Sequence, residues 1–219
     1  MKKVFIVGGS GKIARRLAQQ LSTRGHTPVS LHRHAEQAEE LKALGSTPVT
    51  GDLIELNVTE LAQLMAGSDV VVFSAGAGGK GGPEMTNAID GRGLELTVAA
   101  AQKAGIQRFL LVSAFPEASR GKSVSETFEN YMAVKKRADV HLAESDLDWV
   151  ILRPGILLDS PGTGKVRADL AIPYGDVSRD DVAATLVEII ERSEVNRVII
   201  ELTEGDTPVN QAIQRLARV

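Results

Sequence analysis

The sequence predicts an α/β fold in which a doubly wound parallel sheet carries helices on both faces. Short apolar strands alternate with helical patterns along most of the chain, and a glycine turn joins the first strand to the first helix. This order is typical of parallel strands joined by crossover helices. The expected strands are residues 4–7, 28–31, 47–50, 70–74, 108–113 and 149–152, and the expected helices are residues 12–24, 35–44, 58–65, 84–104 and 125–144.

The first strand and helix, VFIVGGSGKIA, have the arrangement that holds a pyrophosphate. Residues 4–7 predict a buried strand, Gly8 is its tight exit, and Gly11 leaves room where a Cβ would collide with phosphate. Ala14 allows close contact between helix and strand. Because the first N–H groups of this helix would face an anion, the element predicts a nucleotide cofactor.

The second strand ends in LHRH, where the residue that selects between dinucleotides is expected. A carboxylate at this place holds the ribose 2′-OH of NAD, whereas an arginine accommodates the 2′-phosphate of NADP. Arg33 can donate two N–H groups to a phosphate, so NADP is preferred over NAD. The alternative is a solvated arginine before a helix. His32 and His34 have no third ligand nearby in sequence, so no metal site is predicted.

The third and fourth strands end at the edge where an adenosine would lie. Asp52, in Gly-Asp-Leu after the third strand, could accept a hydrogen bond from the adenine amine, or it could cap a turn. Ser-Ala-Gly, residues 74–76, ends the fourth strand and opens a glycine-rich loop. We expect this loop to be mobile or to lie close against a ligand.

Tyr131 and Lys135 form YMAVK within a predicted helix and lie one turn apart on one face. A nearby ammonium favours the phenolate and would bring the tyrosine pKa toward the working range. Ser113 ends the fifth strand, and its hydroxyl could hold a substrate carbonyl oxygen beside the phenol.

Beyond Pro154 the pattern loosens. We expect a turn at residues 160–165, a strand toward Pro173, a helix opened by a Ser178–Asp181 capping box and ending near Arg192, a strand at 198–202 and a last helix from Thr207 and Pro208. Ligands of open α/β sheets bind outside the carboxyl ends of the strands. Residues 1–219 are therefore predicted to form one domain, with 156–219 as a short extension that covers a small substrate.

Composition excludes several classes of function. The net charge is −3 and 4% of residues are aromatic, so a nucleic-acid partner is not expected. The chain has no cysteine, and no apolar run approaches the ~18 residues that a membrane span needs. A cytoplasmic protein that does not enter a membrane is expected, while the identity of its substrate and its oligomeric state stay open.

With these residues assembled, the chain resembles the short-chain dehydrogenase/reductase (SDR) superfamily, in its atypical branch with NmrA-like and epimerase-like members. The resemblance covers nearly the whole chain and rests on VGGSGKIA, VTGDL, FSAGAG, AIDGRGLELTVAAAQKAGIQRFLLVSA, YMAVK, WVILRPG and VSRDDVAA. It implies a Rossmann-like fold, an NAD(P) cofactor and a Ser-Tyr-Lys set in Ser113, Tyr131 and Lys135. The cofactor-binding residues that it implies are Gly8, Ser10, Gly11, Lys12, Ile13, Arg33, Asp52, Leu53, Ala75, Gly76, Ser113, Lys135, Pro154 and Gly155.

Two departures from the family pattern bear on activity. Ala14 replaces the third glycine, and Asp90 stands where the fuller catalytic tetrad has Asn. A carboxylate cannot donate as an amide does, so a proton relay through Asp90 is in question. Three hypotheses follow: an NADP(H)-dependent oxidoreductase or epimerase-like enzyme, a non-catalytic NADP(H)-binding redox sensor of the NmrA-like type, and a flavin or quinone reductase that needs no side-chain acid.

Overall fold

The computed structural model describes residues 1–116, 118–119 and 123–217. Within these residues nine strands form one sheet and two more strands pair separately. The strands are β1 (Lys3–Val7), β2 (Thr27–His32), β3 (Thr47–Thr50), β4 (Val70–Phe73), β5 (Arg108–Val112), β6 (Asp148–Pro154), β7 (Ile156–Leu158), β8 (Lys165–Asp169), β9 (Asp176–Ser178), β10 (Val198–Glu204) and β11 (Thr207–Pro208). The helices are α1 (Lys12–Thr23), α2 (Ala38–Ala43), α3 (Val58–Leu64), α4 (Gly82–Thr86), α5 (Gly93–Lys103), α6 (Glu126–Ala143), α7 (Arg179–Glu191) and α8 (Val209–Leu216).

The central strands confirm the predicted doubly wound parallel sheet. Their order is β3-β2-β1-β4-β5-β6-β10, and each neighbouring pair is parallel. The chain winds outward from β1 to β3 and then returns to the other side of β1 with β4. This reversal opens a crevice between the carboxyl ends of β1 and β4, which is where α/β sheets bind their ligands.

The apolar strands form because both of their faces are buried. In β1, Val4 and Ile6 join a core that contains residues of α1, α7 and α8, whereas Phe5 and Val7 join one that contains residues of α3, α5 and α6. Alternate residues of a strand point to opposite faces, so one continuous apolar run supplies both cores. The central strands are therefore fixed firmly in the sheet.

The helix expected at residues 84–104 is interrupted. After α4, residues 87–92 form a π-helical turn, and α5 begins only at Gly93. A π turn inserts an extra residue into the helix and redirects the side chains that it carries. This turn packs against its neighbours: a Cβ added at Gly91 would make an ordinary van der Waals contact with Val134 at 3.4 Å, and one added at Gly93 would contact Leu53 at 3.4 Å. The turn carries Asp90.

The tail after Pro154 is more deeply integrated in the sheet than its pattern suggested. β10 is the seventh parallel strand, α7 packs against α1, and β8 and β11 add antiparallel pairs at the edge. Only the segment around β7 and β9, which pair with each other after the end of β6, extends the carboxyl edge in the way expected of a cover. The division at residue 156 stays a prediction.

Two expectations about the ends of helices were wrong. Ser178 caps α7 by accepting from the Asp180 N–H, but the Asp181 carboxylate does not complete a capping box; it accepts from the N–H groups of Thr163 and Gly164 instead. Asp181 thereby fixes the turn at 160–165 against α7. The last helix begins at Val209, because residues 207–208 pair with β8.

None of the helices in the described ranges combines the length and the apolar character that crossing a bilayer requires.

Candidate active site

The turn after β1 packs directly against the loop after β4. Gly8 has a φ of 79°, and a Cβ added to it would lie 2.6 Å from the Cα of Ala75 and 2.7 Å from its backbone nitrogen. The Gly11 N–H closes the turn by donating to the Gly8 carbonyl at 2.9 Å. Gly8 therefore fits both the left-handed backbone and the close approach, neither of which a larger residue tolerates.

Gly9 was not among the expected site residues, yet the same turn depends on it. An added Cβ would lie 2.5 Å from the Cβ of Ser30, and the Gly9 N–H donates to the Leu31 carbonyl at 2.8 Å. Gly9 thus lets the turn lie flat on β2. The paired glycines in VGG are the signal that could have identified it.

The amino end of α1 has the properties of an anion site. Its N-cap, Gly11, is extended and makes no side-chain capping bond, and the Oγ of Ser10 is buried without a hydrogen-bond partner among the described residues. A helix start leaves unsatisfied N–H groups that carry partial positive charge. These free donors fit the diphosphate of a dinucleotide. Ile13 is buried in the core, so only its backbone can contribute.

The side chain of Lys12 turns to the tail of the chain. Its Nζ lies 2.5 Å from Asp159, which follows β7, and Arg179 at the start of α7 also pairs with Asp159 at 3.0 Å. The hydrogen bond from Lys12, with the nearby charge of Arg179, holds the pKa of Asp159 below its usual value. Lys12 therefore links the amino end of α1 to the segment after β7.

Arg33 lies at the end of β2, as expected, and is half-exposed. Its Nε donates to His34 at 3.0 Å and lies 4.0 Å from the Asp52 carboxylate. Asp52 also accepts a hydrogen bond from the Ile54 N–H at 2.9 Å. It therefore caps a turn, which is the alternative role that the sequence offered for it. Both histidines of LHRH bond locally: His32 contacts the His34 carbonyl at 3.0 Å. No metal-binding cluster lies within the described residues.

Asp90 joins the loop after β4 to α6. Its Oδ2 accepts from the Ala77 N–H at 2.9 Å, and its Oδ1 lies 3.7 Å from the Nζ of Lys135. A Cβ on Gly76 would lie 3.0 Å from the same Oδ1, so Gly76 permits the close approach. Both Asp90 and Lys135 are buried. The pair is a charged bridge beneath the crevice.

Lys135 also donates to the Val112 carbonyl at 3.1 Å, where β5 ends. Burial lowers the pKa of its ammonium, while the charges of Asp90 and Asp139 act in the opposite direction. Desolvation disfavours a charged group, and an opposite charge within reach favours it. The carboxylate partner is what makes a buried ammonium tolerable here.

Tyr131 lies one turn before Lys135 on α6. Burial raises the pKa of its phenol to about 12, a value to which the charges of Asp90 and Asp139 contribute in the same direction. The expectation that Lys135 would bring this pKa down toward neutrality was therefore wrong. The physical reason is that burial disfavours the charged phenolate, and the carboxylates of Asp90 and Asp139 add to this effect.

Ser113 follows β5 directly, and its N–H donates to the Leu152 carbonyl at 2.8 Å. Its Oγ is buried and has no hydrogen-bond partner in the described part of the chain. Leaving a buried hydroxyl unsatisfied is unfavourable, which points to a ligand that completes it. This orphaned hydroxyl fits the expected role of holding a substrate oxygen.

Pro154 ends β6, and Gly155 follows it. Gly155 has a packing role that the sequence did not predict. A Cβ on Gly155 would overlap the carbonyl oxygen of Gly175, and the Gly155 N–H donates to the Leu202 carbonyl at 2.9 Å. Gly155 therefore allows the segment before β9 to cross the end of β6. That crossing sets the position of Tyr174.

Aromatic and aliphatic side chains line the outer part of this edge. The rings of Phe115 and Tyr174 are tilted by 57° with centroids 5.1 Å apart. Tyr174, Ile156 and Leu170 remain partly exposed although they are large and apolar. Sequence analysis missed these residues, because single apolar residues in irregular segments have no periodic pattern.

Comparison with known proteins assigns the family. A model described as NAD(P)H-binding matches residues 8–193. The chain is 36% identical over 215 residues to the uncharacterized sugar epimerase YhfK of Bacillus subtilis. This alignment covers 98% of this chain and 100% of that protein. A solved structure, a putative NAD-dependent epimerase/dehydratase from Bacillus halodurans, superposes with a TM-score of 0.90 at 32% identity and covers 98% of this chain and 100% of that one.

A more distant structure is that of a reductase. ChuY, an anaerobillin reductase from Escherichia coli O157:H7, is 26% identical with a TM-score of 0.77, and the match covers 93% of this chain and 98% of that one.

Proposed function

This chain belongs to the NAD(P)H-binding family of atypical short-chain dehydrogenases/reductases, and we propose that it is an NADP(H)-dependent oxidoreductase that reduces a carbonyl group. The observation that carries the proposal is the hydrogen bond from Lys135 to the Val112 carbonyl, next to the orphaned Ser113 hydroxyl at the end of β5, with Tyr131 one helical turn before Lys135. When bound, a reduced nicotinamide supplies a hydride to the substrate carbon. Residues of this chain supply the rest.

The residues present fit the cofactor. The N–H groups at the start of α1 and the Ser10 hydroxyl would hold its diphosphate, and Arg33 would hold a 2′-phosphate. Asp52, 4.0 Å from Arg33, orients the guanidinium in the absence of phosphate. Lys135 would bind the ribose next to the nicotinamide. NADP is favoured over NAD because LHRH offers no carboxylate to accept from a 2′-OH.

Arg33→Ala should weaken NADPH binding about tenfold to about a hundredfold, since a charge-assisted hydrogen bond to phosphate contributes roughly 1.5–3 kcal/mol. NADH lacks the 2′-phosphate, so its affinity should change little. Calorimetric titration of both nucleotides measures the two Kd values. Arg215→Ala, which removes an exposed arginine from α8, is the matched control. Equal losses for both nucleotides would show that Arg33 does not read the 2′-phosphate.

The side chains divide the remaining work. The buried Ser113 hydroxyl donates to the substrate carbonyl oxygen and fixes its position. The Tyr131 hydroxyl gives that oxygen a proton as the carbonyl is reduced. Lys135 would bind the ribose of the cofactor.

The substrate class that we propose is an apolar, ring-bearing carbonyl compound. Tyr174 packs on the buried ring of Phe115 and presents an exposed aromatic side chain, and Ile156 and Leu170 in the same part of the chain are also exposed and apolar. Such area on a monomer often marks a ligand-binding surface. A charged sugar would find few partners on it.

Tyr174→Ala should raise the KM for an aromatic ketone or aldehyde by about three- to tenfold, in line with the ~0.5–1.5 kcal/mol that an aromatic contact contributes. The kcat should change little, because Tyr174 would contact the ring and not the reacting oxygen. Steady-state rates with aromatic and short aliphatic carbonyls measure the difference. Val140→Ala removes an exposed apolar side chain from α6 and should leave both constants unchanged.

A second candidate is a non-catalytic NADP(H)-binding redox sensor. One observation favours it: the group that faces Lys135 at 3.7 Å is the carboxylate of Asp90, which cannot donate a hydrogen bond in a proton relay as an amide does. The oxidoreductase proposal requires only that the phenol donate. Sustained oxidation of NADPH with any member of a carbonyl and quinone panel would exclude the sensor, whereas binding without turnover across the panel would support it.

A further inference from the structure

Asp159, which directly follows β7, lies against the amino end of α1. Its carboxylate pairs with Lys12 at 2.5 Å and with Arg16 at 3.7 Å, and these two residues lie one turn apart on that helix. Arg179, at the start of α7, contacts the same carboxylate at 3.0 Å. Three basic side chains from two helices therefore converge on one carboxylate.

The first turn of α1 has no negative charge of its own. It begins at Lys12, contains no acidic residue and has no side-chain cap at Gly11. The start of a helix favours negative charge, because its unpaired N–H groups carry a partial positive charge. Asp159 supplies that charge from a distant part of the chain. A bound diphosphate would supply negative charge at the same end of the helix.

The segment after β7, residues 159–164, is also held in place without the help of Lys12. The N–H groups of residues 162–164 donate to the carboxylates of Asp180 and Asp181 at distances of 2.8–3.0 Å. These bonds attach the segment to the start of α7. Loss of the ion pair with Lys12 should therefore leave the segment folded.

The pair between Lys12 and Asp159 lies at the surface. The side chain of Lys12 is 61% exposed and that of Asp159 is 49% exposed. An ion pair between such groups is weak, because water and dissolved salt screen it. A diphosphate carries more negative charge than a single carboxylate, so it can displace Asp159 from this ammonium at little cost.

We propose that Asp159 competes with the diphosphate of the cofactor for the ammonium of Lys12, and thereby lowers the affinity of the protein for the nucleotide. This inference rests on the proposed function, because it concerns the regulation of the same nucleotide site. In the free protein Lys12 pairs with Asp159, and in the nucleotide-bound protein the same ammonium pairs with a phosphate. Any change that weakens the hold of Asp159 on Lys12 therefore tightens nucleotide binding.

Asp159→Asn tests the competition, because the amide keeps the size of the side chain and removes its charge. The Kd values for NADPH and NADH should both fall by about threefold to about tenfold, between the effect of an exposed ion pair and that of a charge-assisted hydrogen bond to phosphate. The diphosphate is common to both nucleotides, so they should gain equally. Calorimetric titration measures both values, and the gain should shrink at high ionic strength.

Lys12→Met removes the ammonium for which the carboxylate and the diphosphate compete. In the Lys12→Met background, Asp159→Asn should lose most of the gain in affinity that it gives alone. The four Kd values for each nucleotide form a double-mutant cycle that measures this coupling. A gain that persists in full without Lys12 would overturn the competition for its ammonium.

Glu191→Gln is the matched control. Glu191 ends α7 and pairs with Arg24 at 3.0 Å, so this ion pair joins the same two helices at the opposite end of α1. Its loss should leave both Kd values unchanged. Unchanged or weaker nucleotide binding by Asp159→Asn would overturn the proposal, since a carboxylate that only positioned Lys12 for the phosphates would be needed for tight binding.

Inorganic pyrophosphate distinguishes a failure of this proposal from a failure of the proposed function. Its binding can be followed through the backbone amide NMR signals of residues 10–13, and Asp159→Asn should tighten it. Tighter pyrophosphate binding by this variant, with no binding of either nucleotide, would contradict the proposed function and support the competition. Nucleotide binding by the unmodified protein with no gain in Asp159→Asn would contradict the competition and leave the proposed function intact.

Discussion

Tyr131→Phe should lower the kcat for carbonyl reduction by about a hundredfold to about ten-thousandfold, the range typical of losing a general acid. The substitution removes only the hydroxyl, so the ring keeps its place beside Phe128, 6.2 Å between centroids. The Kd for NADPH should change little, because no contact to the phosphates is lost. The KM for substrate should rise modestly with the loss of one hydrogen bond to its oxygen.

Tyr174→Phe is the control for this experiment, because it removes the other phenol of the chain and leaves its ring. It should retain most of the activity. If Tyr131→Phe turned over substrate at the wild-type rate, the phenol would not be the proton donor. That result would favour flavin or quinone reduction, in which the bound cofactor needs no side-chain acid.

Gly8→Ala should lower the free energy of unfolding by about 3 kcal/mol and abolish NADPH binding at concentrations that saturate the wild type. An alanine at a φ of 79° is strained, and its Cβ would lie 2.6 Å from the backbone of Ala75. Neither backbone can move freely, since β1 and β4 are paired and buried on both faces. The turn must therefore shift and misalign the start of α1.

Gly25→Ala separates the cost of backbone strain from the cost of the contact with Ala75. Gly25 has nearly the same φ, 78°, but no described atom lies within 4 Å of its added Cβ, and it follows α1 at the opposite edge of the sheet. It should cost about 1 kcal/mol from backbone strain alone and leave NADPH binding intact. Chemical denaturation and nucleotide titration of both variants give the comparison. Equal destabilisation by the two substitutions would show that the Ala75 contact contributes nothing.

The parts of the fold that depend on local pattern could be predicted. The apolar runs of β1 and β4 to β6 and the glycine turn before α1 are contiguous in sequence, and their order implies a parallel doubly wound sheet. Ser113 and Lys135 could be placed for the same reason, because each belongs to a strand end or a helix face whose position follows from the alternation. The tail was harder, since β8 and β10 pair antiparallel through residues far apart in sequence.

The electrostatics of the site could not be predicted from the sequence. Asp90 lies 45 residues before Lys135 in the sequence. Its place in the fold depends on a π turn, which the spacing of apolar residues does not predict. The four-residue spacing in YMAVK predicted that Lys135 lowers the pKa of Tyr131. In the structure, burial and the charge of Asp90 raise that pKa. Likewise Gly155 was expected to border the nicotinamide, but its lack of a side chain is explained by the crossing with Gly175.

The most direct test of the account is calorimetric titration of the unmodified protein with NADPH and NADH side by side. The uncapped start of α1, with the orphaned Ser10 hydroxyl, predicts that both bind, and Arg33 predicts that NADPH binds about tenfold to about a hundredfold more tightly. Tighter binding of NADH would contradict the role of Arg33. Absence of binding by either nucleotide would contradict the dinucleotide site itself.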